Sequence, residues 1–218
     1  MFKTLALAAA LLATAPAFAD VSIKFVGRDA GAPVLATSIG TNSATGVLNY
    51  LDDVSGSFQA YCVEPEQPFA LTIKGFKTYT AGSFTGTQAT LLQSLYSSSF
   101  QSVNSSKQQA AFQMAIWEII SETTGTLKIT AGANQGSFYL TSSDQPSNAV
   151  QALATHYLSA AQSYSGPALY SLTKLSNATY QDLVVATAVT AVPEPESYAL
   201  FLGGLGVMGL LARRRLPR

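Results

Sequence analysis

Residues 112–120 limit the fold of this chain more than any other stretch. Phe112, Ala115, Ile116, Ile119 and Ile120 recur at the i, i+3, i+4, i+7, i+8 spacing of a helix with one buried stripe. The only tryptophan, Trp117, lies in the same stretch. Ser105-x-x-Gln108 reads as a capping box that starts the helix, and Thr123-Thr124-Gly125 follows its expected end near Glu122. Gln113 shares a face with Ile116, Trp117 and Ile120, so its carboxamide is expected to be at least half buried. A buried carboxamide without partners costs free energy, and Gln113 therefore requires a specific neighbour. Glu118 reads as an exposed helix carboxylate.

The only cysteine stands in a second pattern. Ser57 to Val63 alternates as a strand, with Phe58, Ala60 and Cys62 on one face and Gln59, Tyr61 and Val63 on the other, and Pro65 and Pro68 end it. Val21–Gly27, Gly46–Leu51, two short runs within Phe69–Tyr79, Leu127–Thr130, Ser137–Leu140, Ala168–Thr173 and Tyr180–Thr187 are further candidate strands. Thr87–Tyr96 predicts a short helix and Asn148–Gln162 a second long one, while Ser97–Ser106 reads as irregular. Runs of short strands with segregated helices predict an α+β domain: a mainly antiparallel β-sandwich or barrel with two longer packed helices.

Both ends read as processing signals. Lys3, the apolar run Leu5–Leu12 and Ala17-Phe18-Ala19 have the order of a secretory signal peptide, which places the mature start at Asp20. At the other end, Pro193-Glu194-Pro195 precedes an apolar, Gly-rich run, Tyr198–Ala212, and then Arg213-Arg214-Arg215. The arginines would stay cytoplasmic by the positive-inside rule. The expected organisation is a signal peptide at 1–19, an extracytoplasmic domain at 20–188 and a sorting segment with an apolar helix at 189–218. This tail resembles the PEP-CTERM sorting signal of Gram-negative bacteria. The resemblance implies transient membrane insertion and removal by an exosortase-type membrane protease, and it suggests exopolysaccharide as a partner.

Lys plus Arg equals Asp plus Glu, and only 11% of residues are charged, so no basic surface suited to nucleic acid is expected. The chain has no Walker or dinucleotide glycine pattern and no His/Cys cluster, so no cofactor or metal is expected. Asp29, Asp52 and Asp53 lack EF-hand spacing and read as turn carboxylates.

Three readings of Cys62 stay open on the residues alone. It is a buried apolar residue of an inert surface or matrix protein, it pairs with the single histidine, His156, as a hydrolase dyad, or it reacts with Gln113. Tyr61-Cys62-Val63-Glu64, followed by Phe112-Gln113-Met114-Ala115-Ile116-Trp117, resembles the thioester domains of bacterial surface proteins. The proline-rich exit Glu64–Pro68 is a departure that this motif does not require. The resemblance implies a cross-link between Cys62 and Gln113, with Tyr61 and Trp117 supporting it. It also implies a non-turnover adhesin that is attacked by surface amines or hydroxyls.

Overall fold

The structure is a computed structural model that describes residues 19–189, apart from 124 and 133–135, together with 200–205 and 208. The expected signal peptide up to Phe18, the Pro193-Glu194-Pro195 motif and Arg213–Arg215 lie outside the described residues. The chain forms two compact units, Met1–Thr187 and Ala188–Arg218.

Among the described residues are eight strands and three α-helices of the sheet-and-helix domain. The strands are β1 (Asp20–Arg28), β2 (Val34–Thr37), β3 (Gly40–Ala44), β4 (Leu48–Asp52), β5 (Gly56–Cys62), β6 (Lys77–Gly82), β7 (Tyr170–Ser176) and β8 (Leu183–Ala188). The helices are α1 (Gly86–Ser99), α2 (Ser106–Ser121) and α3 (Gln145–Ser163). Six strands close an antiparallel barrel in the order β1-β4-β5-β8-β7-β6, and β2 and β3 form a separate hairpin. Closure gives each of the six strands a neighbour on both sides. The barrel expectation is met.

Strand alternation determines what fills the barrel. Ile23, Phe25, Tyr50, Ala60 and Tyr79 are buried and line its interior. Phe25 packs edge-on against Tyr50 at 5.5 Å. The β4–β5 turn is held by Asp52, whose carboxylate accepts the Val54 and Ser55 N–H groups.

The helices form a layer on the barrel. α1 packs on β7, α2 on β5 and α3 on β2, and all three helices pack on one another. The short helix expected over Thr87–Tyr96 is present as α1 and runs on through the buried Ser97 and Ser99, and a 3-10 turn, Phe100–Ser102, occupies part of the segment read as irregular. The start of α2 is as expected. The Ser105 hydroxyl accepts the Gln108 N–H, while Gln108 Oε1 accepts the Asn104 N–H. Every residue from Ala110 to Ile119 is buried, so α2 is enclosed all round rather than along one stripe.

Three strand expectations fail locally. Residues 72–74 form a 3-10 turn closed by Gly75 at positive φ, so only the second run before Tyr79 becomes a strand, β6. Leu127–Thr130 and Ser137–Leu140 make only single bridges, Thr130 to Leu140 and Thr37 to Leu140. Side chains claim part of their backbone, including the N–H groups of Lys128, Ser137, Phe138 and Tyr139. In the second unit, Leu200–Leu205 and Met208 are helical and exposed, and the rest of the expected apolar helix lies outside the described residues. Among the described residues no helix is long and apolar enough to cross a membrane.

Candidate functional site

β5 outlasts β4. Leu48, the first residue of β4, pairs with Ala60, and Cys62 lies two residues further on. On the other side β5 continues against β8, with Tyr61 opposite Val184, Cys62 opposite Leu183, and the Val63 N–H bonded to Asp182 O. Backbone groups of successive strand residues point to opposite sides. Those of Cys62 therefore point to the side that β4 has vacated.

The Gln113 side chain fills that place. The Cys62 N–H donates to Gln113 Oε1 at 3.2 Å, and Gln113 Nε2 donates to Cys62 O at 2.7 Å. The carboxamide thus behaves as one more peptide unit on the strand. One turn earlier on α2, Gln109 Oε1 accepts the Val47 N–H just ahead of β4. Two glutamines at i and i+4 therefore stitch one face of α2 to the ends of adjacent strands. Gln113 is 1% exposed, which meets the burial read from the sequence, and its partner is the backbone of the residue that the motif singled out.

The Cys62 side chain points into the barrel with Ala60, opposite to Tyr61, and is 2% exposed. Burial pushes its thiol up to about 12, against weaker opposing effects of the Trp117 indole N–H and the Glu64 backbone N–H. Trp117 Nε1 is itself buried and has no hydrogen-bond partner. Cys62 is a protonated, enclosed thiol at neutral pH, and not a preformed thiolate. His156 is exposed on α3, with its ring against Tyr157, and no hydrogen bond joins it to Cys62 among the described residues. That placement does not assemble a Cys/His dyad.

Tyr61 and Trp117 flank the pair from two directions. Tyr61 faces the helices, 5.3 Å from Phe112, which also meets Tyr96 at 5.0 Å and Tyr157 at 5.9 Å. This aromatic cluster holds α2 against β5 one residue before Gln113. Trp117 lies one turn after Gln113 and packs edge-on against Phe138 at 5.5 Å.

Glu118 corrects the sequence reading: it is fully buried. Its carboxyl oxygens accept the Lys128 N–H at 2.8 Å and the Phe138 N–H at 2.9 Å, and this is why neither flanking segment forms a regular strand. Gly136 passes so close that a Cβ there would strike the Glu118 carboxyl. A helical periodicity scan places Glu118 beside polar Ser121 and Glu122. The missed signal was the glycine-rich, aperiodic sequence marked by Gly125, Gly132 and Gly136, which supplies no regular ladder to take up the backbone N–H groups beside it. Burial raises the Glu118 carboxyl to about 7; the two N–H donors oppose this, and neighbouring Glu122 adds to it.

Comparisons with known proteins bear on the two ends of this description. Residues 191–215 match the PEP-CTERM protein-sorting motif, so the chain carries a PEP-CTERM sorting signal. That motif indicates an exported protein and implies processing by an exosortase-type system. Among solved structures, the chain is similar to the N-terminal domain of the Streptococcus pyogenes pilus tip adhesin Cpa. Identity is 16% and the TM-score 0.49, over 81% of this chain and 97% of that one. It is also similar to the N-terminal thioester domain of fibronectin-binding protein SfbI from Streptococcus pyogenes, at 14% identity and a TM-score of 0.43, over 80% and 96%. The Bacillus anthracis TIE protein gives 14% identity and a TM-score of 0.42, over 81% of this chain and 34% of that one. Comparison with curated proteins gives no match.

Glu118 makes the fold sensitive to pH with a definite sign. The folded state keeps its proton up to about 7, whereas the unfolded chain releases it near the ordinary value of 4.5. The folded state therefore binds more protons between these values, and stability falls as pH rises through the window and then levels. Asp29, Asp52 and Asp144 are held low by hydrogen-bond donors and act below it. Thermal midpoints of the wild-type protein, measured from pH 4 to pH 8, are expected to fall, and Glu118→Gln is expected to flatten the profile. Equal slopes in the two proteins would contradict the assignment.

Proposed function

We propose that the exported domain is a single-use covalent adhesin whose reactive group is a thioester between Cys62 Sγ and the Gln113 side-chain carbonyl carbon. The observation that supports this best is the pair of hydrogen bonds holding the Gln113 carboxamide on the backbone of Cys62. The fixed geometry replaces a chance encounter with a positioned one.

In the step proposed, Sγ attacks the carboxamide carbon and the C–N bond breaks. The thiol proton leaves with the nitrogen as ammonia, and no oxidant is required. The Cys62 N–H already lies against Oε1, where negative charge develops as the carbon becomes tetrahedral, and so acts as an oxyanion donor. The Trp117 and Glu64 N–H groups favour negative charge on sulfur during the attack. Burial, which holds the free thiol protonated, also excludes the water that would hydrolyse the product. An amine or hydroxyl from a target surface then takes the Gln113 acyl group and returns the Cys62 thiol. Tyr61 and Trp117 act by positioning α2 and sheltering the bond.

We further propose that the mature unit spans residues 20–188, with residues 1–19 and 189–218 as address segments. Recognition by an exosortase-type protease would require Pro193, Glu194 and Pro195, and Arg213–Arg215 would stay on the cytoplasmic side during a transient membrane stage. The destination is the cell surface or extracellular matrix.

Incubating the exported protein with methylamine is expected to add one methylamine at Gln113, located by peptide mapping, and to make Cys62 titratable. A protein that takes up no methylamine and shows a titratable thiol as soon as it is unfolded would be an inert matrix protein. Replacing Pro193-Glu194-Pro195 by alanines is expected to leave an unprocessed, membrane-retained form in the native host. Unchanged processing and release would refute the sorting role.

A further inference from the structure

The segment between β5 and β6 leaves the core after Phe69. Phe69 stacks on Phe25 at 5.4 Å, which sets the segment beside β1. The chain then makes the 3-10 turn Thr72–Lys74, which also packs against β1. Three apolar side chains on and around this turn stay outside the core: Leu71, Ile73 and Phe76 are 54%, 87% and 41% exposed. On β1 itself, Ile23 and Phe25 point into the barrel, so Lys24 and Val26 point outward, and Val26 is also exposed. An exposed apolar residue standing alone carries no message, but a group of them in adjoining elements marks a contact surface.

The turn is closed on its own hydrogen bonds. The Lys74 N–H donates to Leu71 O at 2.8 Å and the Gly75 N–H to Thr72 O at 3.2 Å. The Lys77 ammonium folds back over the turn and donates to Lys74 O at 2.6 Å and Phe76 O at 3.2 Å. Gly75 makes the reversal at a φ of 67°, a conformation that favours glycine. The carbonyls of Leu71, Thr72, Lys74 and Phe76 are therefore all taken. Open backbone groups would cost free energy in a medium without water, and these carbonyls are already paired.

The charges beside the tip have one sign. Lys24, Lys74 and Lys77 form no ion pair among the described residues. No Asp or Glu occurs between Glu66 and Glu118. On the far side of β1, Asp52 stands opposite Ile23, and its carboxylate is turned onto the Val54 and Ser55 N–H groups. An apolar tip with unpaired lysines at its base matches a bilayer that carries anionic headgroups. Acyl chains take the tip, and headgroups take the ammonium groups at the end of their apolar stems. A protein partner would instead need an apolar pocket ringed with carboxylates to receive a side chain as prominent as Ile73. The sorting signal brings the chain to the cell envelope, where a lipid surface is at hand.

We infer that residues 71–76, with Lys24 and Val26 of β1, form a membrane-contact site: Leu71, Ile73 and Phe76 enter the interfacial layer of a bilayer containing anionic lipid, and Lys24 and Lys74 bind its headgroups. Lys77 is a positioning residue that keeps the turn closed. Few side chains take part, so the contact is peripheral and reversible, and it weakens as salt screens the lysines. It rests neither on the thioester nor on removal of the C-terminal segment.

Fluorescence of Ile73→Trp in the exported protein, titrated with vesicles whose phosphatidylcholine carries brominated acyl chains, reads the contact directly. Trp117 is buried and gives a constant background. Bromine quenches only an indole that reaches the acyl layer, so attachment through the C-terminal segment does not imitate the signal. Vesicles of equal parts phosphatidylcholine and phosphatidylglycerol are expected to quench the introduced indole, and phosphatidylcholine alone to quench it far less. Val54→Trp, at an exposed residue of the β4–β5 turn, is expected to stay unquenched. Lys24→Gln and Lys74→Gln, each added to Ile73→Trp, are expected to raise the lipid needed for half-quenching by roughly fivefold, with circular dichroism unchanged. Absence of quenching at residue 73 would overturn the site, as would equal quenching at residues 54 and 73. Quenching indifferent to phosphatidylglycerol and to both lysine variants would overturn the anionic bilayer as the partner.

Discussion

The Gln113 carboxamide bonded across the backbone of Cys62 is the contact on which the surrounding structure depends. A strand that outruns its neighbour inside a closed barrel exposes an N–H and a C=O to an apolar interior. Leaving either unpaired costs roughly 1–3 kcal/mol, more than an ordinary hydrogen bond contributes net. The chain meets this need with a side chain from another layer, and that choice fixes the axial position and rotation of α2. Gln109 on Val47 and Glu118 on Lys128 and Phe138 then follow at successive turns of the same helix.

The same contact sets up a chemical possibility. A carboxamide that serves as a strand cap needs only shape and two hydrogen bonds. Here the capped residue is the single cysteine, its sulfur is enclosed, and the Trp117 and Glu64 N–H groups oppose the rise that burial imposes on its thiol. An enclosed thiol raised to about 12 is poorly suited to repeated turnover in water. It is well suited to one attack on an immobilised neighbour, followed by storage of the product away from water. Stability and reactivity are thus two consequences of one burial.

Much of this was legible in the residues, for identifiable reasons. Alternation in Val21–Gly27 and Ser57–Val63 gave β1 and β5 because one face of each is buried and the other is not. The capping box at Ser105 gave the start of α2 because both halves of the box are local. The pairing of Cys62 with Gln113 followed from a resemblance and from the demand of a buried amide for a partner. Glu118 was misread because its partners, Lys128 and Phe138, come from a turn-rich stretch with no period of its own. α1 was underestimated because Ser97 and Ser99 are polar but buried, and Phe100 continues its line in a 3-10 turn.

Intact-mass spectrometry of the untreated exported protein tests the central claim most directly, because a thioester changes the mass before any reagent is added. The wild type is predicted to weigh one ammonia less than its processed sequence, and Cys62→Ala and Gln113→Ala are each predicted to weigh their full calculated mass. A wild-type protein at full sequence mass, folded and freshly isolated, would contradict the thioester and leave Gln113 as the cap of β5 alone.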